Sequence, residues 1–187
     1  MIILLIAGYA GSGKDEFANQ LMSLCESHSI SFKKYAFADE VKKEVSKLYS
    51  VPLENLYTQT GKASSITLST GETKTLRQLL IEHSAYMKSL YGNEYWAQIV
   101  SKEIDTGKDL IILSDWRYNS EIETINAYFH DHTIVKIRIV RPLLKVLEDS
   151  SEHELDNYKF DIVINNYSSL DHLQTKAYEL LESFDLV

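Results

Sequence analysis

Near the amino terminus an unbroken apolar run, Ile2-Ile3-Leu4-Leu5-Ile6-Ala7, opens directly into Gly8-Tyr9-Ala10-Gly11-Ser12-Gly13-Lys14-Asp15. A strand without a polar residue must be covered on both faces, the condition of a parallel strand inside an α/β sheet. The G-x-x-x-x-G-K spacing lets the backbone wrap tightly, so that successive N–H groups converge on phosphate oxygens. A helix is expected from about Lys14, with Phe17, Ala18, Leu21 and Leu24 at helical spacing. Its dipole adds positive potential at the loop, and Lys14 reaches for the β- and γ-phosphates of a nucleotide. The candidate nucleotide-binding residues are therefore Gly8, Ala10, Gly11, Ser12, Gly13, Lys14, Asp15 and Glu16. The plainer alternative is a glycine turn that merely joins strand to helix.

The rest of the chain keeps the same rhythm. Phe32 to Ala38 predicts a second strand and Val41 to Leu48 a second helix. A polar stretch from Ser50 to Thr75 interrupts, with Ile66-Thr67-Leu68 and Glu72-Thr73-Lys74 placed to form a small hairpin. Leu76, Leu79, Leu80, His83, Met87 and Leu90 predict an amphipathic helix, and Trp96, Ile99 and Val100 another. Strands are expected at Leu110 to Leu113, Ile134 to Val140 and Ile162 to Ile164, with helices at Ile122 to Phe129 and Leu170 to Leu181. The expected fold is α/β, a three-layer arrangement around a five-stranded parallel sheet. One domain over 1–187 is expected, with an insert at about 50–106 and a short lid at about 142–158.

Ligands of such sheets sit beyond the carboxyl ends of the strands. The polar groups expected there are Lys14, Asp39, Asp115 with Arg117, Arg141, and Asn165 with Asn166. Asp15 stands where this loop usually carries a Ser or Thr whose hydroxyl ligates Mg²⁺. Two roles are open to it: a ligand of the ion, directly or through water, or a cap of the helix. Asp115 ends an apolar strand, the place of a carboxylate that orients Mg²⁺ or its water; an N-cap at Ser114 or Asp115 is the alternative. The metal candidates are thus Asp15 and Asp115.

The chain has only four arginines, Arg77, Arg117, Arg138 and Arg141. The guanidinium fork matches two phosphate oxygens at once. Arg117 and Arg141 lie just past expected strand ends, and Arg77 opens the helix after the polar stretch, a place to hold an acceptor phosphate. Arg138 sits inside its strand, where a structural ion pair is expected. Asp39 either contacts an acceptor hydroxyl or caps a helix. Trp96 either stacks on a base or packs in the core; His83 and Met87 share an apolar stripe and belong to the core.

Composition narrows the partners. A net charge of -8 argues against general affinity for polymeric nucleic acid, which runs on surplus Lys and Arg. Small anions remain accessible through locally placed cations. The single cysteine, Cys25, allows no intrachain disulfide and is expected to be a small buried hydrophobe in a reducing, cytoplasmic setting. The opening apolar run is too short to span a bilayer, so no membrane partner is expected.

Several segments together resemble the deoxynucleoside monophosphate kinases of phages and large DNA viruses. They are Gly8 to Asp15 with its Gly-Lys-Asp ending, Phe37-Ala38-Asp39-Glu40-Val41-Lys42, Thr75-Leu76-Arg77-Gln78-Leu79-Leu80, Ser114-Asp115-Trp116-Arg117-Tyr118-Asn119-Ser120-Glu121, and Arg141-Pro142. The resemblance covers nearly the whole chain, in order. It implies an ATP-dependent transfer to a deoxynucleoside monophosphate with Mg²⁺ as the companion ion, and Asp15 as normal in such a loop. Lys14 would bind the ATP phosphates, Arg77 and Arg117 the acceptor phosphate, and Arg141 the transferring group. Ile164-Asn165-Asn166-Tyr167-Ser168-Ser169-Leu170 resembles the turn that approaches adenine. Ser151-Glu152-His153-Glu154 matches the family's lid segment only loosely. Between Pro142 and Tyr158 the one basic side chain other than His153 is Lys145, so an arginine-rich lid is missing.

The expected catalytic set is Lys14, Asp115, Arg117 and Arg141, with Asp39, Arg77, Trp96 and Arg117 toward the acceptor and Asn165 toward ATP. The rivals are a kinase for another phosphorylated small molecule, such as phosphomevalonate, and a nucleotide-binding protein without transfer activity. A GTP-driven switch is disfavoured, because no Asn-Lys-x-Asp segment appears. A homodimer is left open.

Overall fold

The computed structural model describes residues 1–142, 153–167 and 170–187. Five parallel strands form one sheet in the order β2-β5-β1-β6-β7. They are β1 (Ile2–Ala7), β2 (Phe32–Tyr35), β5 (Leu110–Trp116), β6 (Thr133–Val140) and β7 (Ile162–Asn165). As its composition demands, β1 is the central strand, and Ile3 to Ile6 are wholly buried. The helices are α1 (Lys14–Ser27), α2 (Ala38–Tyr49), α3 (Gln59–Ala63), α4 (Leu76–Tyr91), α5 (Tyr95–Glu103), α6 (Asn119–Tyr128) and α7 (Leu170–Glu182). A short hairpin, β3 (Ser65–Thr67) with β4 (Thr73–Thr75), forms where the alternating Thr-rich segments predict it.

The chain divides into two compact units. The first comprises Met1–Ala36 and Ser101–Val187 and contains the whole five-stranded sheet. Alternate side chains of the strands, Leu4, Ile6, Ile112 and Ile137, meet Phe17 and Leu21 of α1 and Leu173 and Ala177 of α7. Burying Phe17 completely contributes roughly 2 kcal/mol. The crossover from β1 to β2 runs one way across the sheet and that from β5 to β6 the other. Right-handed crossovers therefore place α1 and α6 on opposite faces, giving three layers. Cys25 is buried on α1, and burial pushes its thiol up to about 11, the behaviour of a packing residue.

The second unit, Phe37–Val100, has its own core of Val41, Val45, Leu56, Leu76, Leu79 and Trp96. Here α4 starts at a capping box: the Thr75 hydroxyl accepts from Gln78 N (3.1 Å), and the Gln78 side chain accepts from Thr75 N (2.8 Å). The polar stretch from Ser50 also holds a 3₁₀ turn, Leu53–Leu56, and α3, neither of which its composition predicts.

Three boundaries differ from the sequence expectation. β2 stops at Tyr35, and α2 starts at Ala38, so Asp39 lies in a helix's first turn and not past a strand end. β5 runs on to Trp116 because its ladder with β1 extends to the pair Ala7 and Trp116, which puts Ser114 and Asp115 inside the strand. With Tyr118 as the N-cap residue of α6, neither Ser114 nor Asp115 caps that helix. Among the described residues no helix is long and apolar enough to cross a membrane.

Candidate functional site

The site of the first unit begins where β1 ends. After Ala7 the chain passes through Gly8 (φ 152°), Gly11 (φ 81°) and Gly13 (φ 97°), and the Ser12 amide donates to the Tyr9 carbonyl (3.0 Å) to close the turn. Gly13 is the N-cap of α1 in the left-handed conformation, which an L side chain adopts only at a cost. A Cβ there would also run into the side-chain amide of Asn166. At Gly8 a Cβ would meet the Ile139 carbonyl and the Ser12 hydroxyl at 2.6 Å each. Both glycines are thus required by close approach, and the loop is a wrapped cradle rather than a loose turn.

α1 starts at Lys14, and the first N–H groups of a helix have no intrahelical acceptor. They face the loop's interior, joined by the positive end of the helix dipole. Lys14 is 6% exposed. Holding an ammonium out of water is costly unless anionic or carbonyl oxygens surround it. Ser12 is fully buried, and among the described residues its hydroxyl has no hydrogen-bond partner. Asp15 and Glu16 lie in the first turn of α1, where carboxylates are favoured by the dipole.

The other groups arrive because parallel strands end on one side. Asp115 and Arg117 come from the end of β5, Arg141 follows β6, and Asn165 ends β7. Arg141 Nη1 lies 3.5 Å from the Gly11 carbonyl, over the loop's rim. Asn165 itself is exposed, whereas Asn166 is 9% exposed and its side chain donates to the Ser12 carbonyl (2.9 Å). The Arg117 and Tyr118 amides donate to the Glu121 carboxylate at 2.8 and 3.1 Å, and Glu121 is 5% exposed. A buried carboxylate thus fixes the main chain that carries Arg117.

Arg138 makes the structural pair expected of it. Its guanidinium donates to Asp156 Oδ1 (2.7 Å) and to the Leu155 carbonyl (2.9 Å). The Tyr9 hydroxyl donates to the same Asp156 oxygen, and a narrow cleft lined by Gly8, Tyr9, Trp116, Arg117, Arg138 and Phe160 adjoins this cluster.

Asp15 and Asp115 are hard oxygen donors of the kind Mg²⁺ takes. Among the described residues no group of three or more His, Cys, Asp or Glu side chains assembles. That donor set fits Mg²⁺, which keeps several waters and binds phosphate oxygens together with one or two carboxylates.

In the second unit, Arg77 Nη2 donates to Gln59 Oε1 (2.6 Å), joining α4 to α3. Asp39 pairs with Lys42 (2.8 Å) and accepts from the Tyr57 hydroxyl, while the Lys42 ammonium lies 4.1 Å from the centre of the Tyr57 ring. Burial, with the Asp39 charge and hydrogen bond, pushes the Tyr57 phenol up to about 12. Trp96 is 2% exposed within the core of this unit, edge-on to Tyr95 with ring centres 4.8 Å apart. His83 is half-buried and bonded to Glu44 (2.7 Å).

Lys145, Ser151, Glu152, Ser168 and Ser169, and most of the expected lid, lie outside the described residues. Sequence reasoning passed over Tyr9, the anchoring role of Asn166, and Glu121 as a buried acceptor. For Glu121 a signal existed: a carboxylate in a helix's first turn reaches back to the preceding amides.

No protein-family model and no curated protein matches the chain. Solved structures do. The chain is 12% identical to APE1195 over 97% of this chain and 95% of that one, with a TM-score of 0.52. It is 14% identical to the hexameric APS kinase of Thiobacillus denitrificans over its full length and 29% of that chain, with a TM-score of 0.50. The Mycobacterium tuberculosis APS kinase in complex with AMPPNP and APS aligns over 96% of both chains, at 11% identity and a TM-score of 0.49. At these identities the likeness is one of fold: the chain shares an α/β fold with these structures, built here on a five-stranded parallel sheet.

Proposed function

We propose that this protein transfers the terminal phosphoryl group of ATP to a small phosphorylated acceptor, and that the acceptor is a deoxynucleoside monophosphate. One observation carries the reading: a glycine cradle that leads into a buried Lys14 at the start of α1, on the sheet edge that also bears Asp115, Arg117 and Arg141.

The loop amides and Lys14 hold the β- and γ-phosphates, and Arg141 offsets charge on the group in transit. Arg117, its main chain held by Glu121, binds the acceptor phosphate; the family resemblance would add Arg77 to that phosphate, and Asp39 would serve an acceptor hydroxyl. Asp15 and Asp115 would hold Mg²⁺, which supplies neutralisation of the triphosphate charge. An oxygen of the acceptor phosphate is already ionised at neutral pH, so no general base is required. It forms the new P–O bond as the bond from the γ-phosphorus to the bridging oxygen breaks, and ADP leaves. The deoxynucleotide assignment rests on the Gly-Lys-Asp loop combined with Asp115-x-Arg117-x-x-x-Glu121. An ATP-driven step with one buried thiol suits the cytoplasm.

A coupled measurement of ADP release over a panel of deoxynucleoside monophosphates tests the reading. Stimulation by at least one of them is expected. Stimulation only by phosphomevalonate or another phosphorylated metabolite would move the protein to that acceptor class, and ATP binding without turnover on any acceptor would make it a binding protein.

A further inference from the structure

Tyr9 is the first variable residue of the glycine loop, and nothing in a G-x-x-x-x-G-K cradle requires a phenol there. Its hydroxyl reaches across 147 residues of sequence to donate to Asp156 Oδ1 at 2.5 Å. The same carboxylate accepts from Arg138 Nη2 (2.7 Å), and its other oxygen lies 2.9 Å from His153 Nδ1. Arg138 is further fixed by the Leu155 carbonyl and lies over two rings, 5.2 Å from the centre of Tyr9 and 5.4 Å from that of Phe160. Phe160 and Tyr158 pack in turn on the buried Trp116, which stands between Asp115 and Arg117 in the sequence.

The arrangement is overdetermined for a surface ion pair. Burial works against the Asp156 charge, yet hydrogen bonds from Tyr9, His153 and Arg138 and the Arg138 charge outweigh it and hold the carboxyl at about 2. The acceptor is therefore fully charged across the physiological range, and a phenol bonded to a carboxylate is a strong, short contact. Meanwhile the main-chain carbonyl of Tyr9 is the group that accepts the Ser12 amide. One residue thus joins the closing bond of the cradle to a charged cluster outside it.

We propose that Asp156 is a positioning residue for the glycine loop, acting through Tyr9 to hold the loop's amides in their phosphate-binding arrangement before nucleotide arrives. It touches neither nucleotide nor acceptor. Its contribution is preorganisation: a loop already wrapped loses less freedom on binding than one that must be ordered by the ligand. The proposal rests on the loop being a nucleotide site, and its first readout does not depend on nucleotide.

The test uses Tyr9→Phe, Asp156→Asn and the double variant of the full chain. Tyr9→Phe keeps the ring over Arg138 and removes only the hydroxyl, so the fold is retained. In unliganded protein, hydrogen exchange at the Ser12 amide should quicken about tenfold in each single variant, while Leu4 in the β1 ladder keeps its rate. The double variant should be no faster than the singles, because both remove one link. Affinity for a non-hydrolysable ATP analogue should fall by about threefold to tenfold in each, again without further loss in the double. Unchanged Ser12 exchange, or effects that multiply in the double variant, would overturn the proposal. If wild-type protein binds no ATP analogue, the functional reading fails, and the Ser12 exchange rates still decide the positioning role.

Discussion

The side-chain amide of Asn166 donates to the carbonyl of Ser12 at 2.9 Å, tying the end of the last strand to a loop 154 residues earlier. The bond is buried, and the Asn166 main-chain N–H donates to the Val140 carbonyl (2.7 Å). The cradle is therefore braced from β6 and β7 as well as from its own strand. Replacing Asn166 with Ala leaves a buried acceptor without its donor, which costs about 1–3 kcal/mol. Thermal unfolding of N166A should reflect that loss, and its affinity for ATP should drop about tenfold. The neighbouring Asn165 is exposed, so N165A should stay within about 0.5 kcal/mol of wild-type stability. Equal stability of the two variants would contradict the brace.

Glu121 makes the second prediction. Its carboxylate is 5% exposed and accepts from the Arg117 and Tyr118 amides. Removing it leaves two half-buried main-chain donors without this acceptor, so E121A should lose about 2 kcal/mol in denaturant unfolding. E121Q keeps an oxygen in place and should lose only about 1 kcal/mol. With an acceptor identified, E121Q should raise its KM more than it lowers kcat, because Arg117 is displaced and not removed. An unchanged KM would separate Arg117 from acceptor binding.

Tyr57 gives a pH prediction in the second unit. Burial and Asp39 push its phenol from the ordinary 10.0 up to about 12, so the fold favours the neutral form. With the folded value raised, this contribution is complete below pH 10 and is lost as pH rises through about 12. The difference in phenolate absorbance between wild type and Tyr57→Phe isolates the group. Its midpoint should lie near 12 in wild type and at lower pH in Asp39→Asn. An unaltered midpoint in Asp39→Asn would dissolve the Asp39 and Tyr57 pair.

The sheet was legible because β1 is apolar throughout and so must be central, and because strands and helices alternate with little interruption. The hairpin was legible from its Thr-rich alternation. What the residues hid was tertiary. β5 runs one residue past Asp115 to Trp116 because β1 offers a ladder partner in Ala7, which no local preference announces. α3 and the 3₁₀ turn lie in a polar stretch whose order comes from capping, such as the Thr58 hydroxyl accepting from Gly61 N (3.0 Å). At the site, the cradle, Lys14 and the strand-end charges followed from spacing and topology. The bond from Asn166 to Ser12 did not, because adjacent residues at a strand end face opposite ways and only the fold decides which side chain reaches the loop. Tyr9 was hidden too, since its partner is distant in sequence.

The central claim is that the glycine loop and Lys14 grip a triphosphate tail. Calorimetric titration of ATP into Lys14→Ala tests it most directly, with thermal unfolding as a check that the fold stands. The account predicts that the variant still unfolds cooperatively, as wild type does. It also predicts a loss of affinity on the order of a hundredfold, near 3 kcal/mol. Affinity within about threefold of wild type would contradict it.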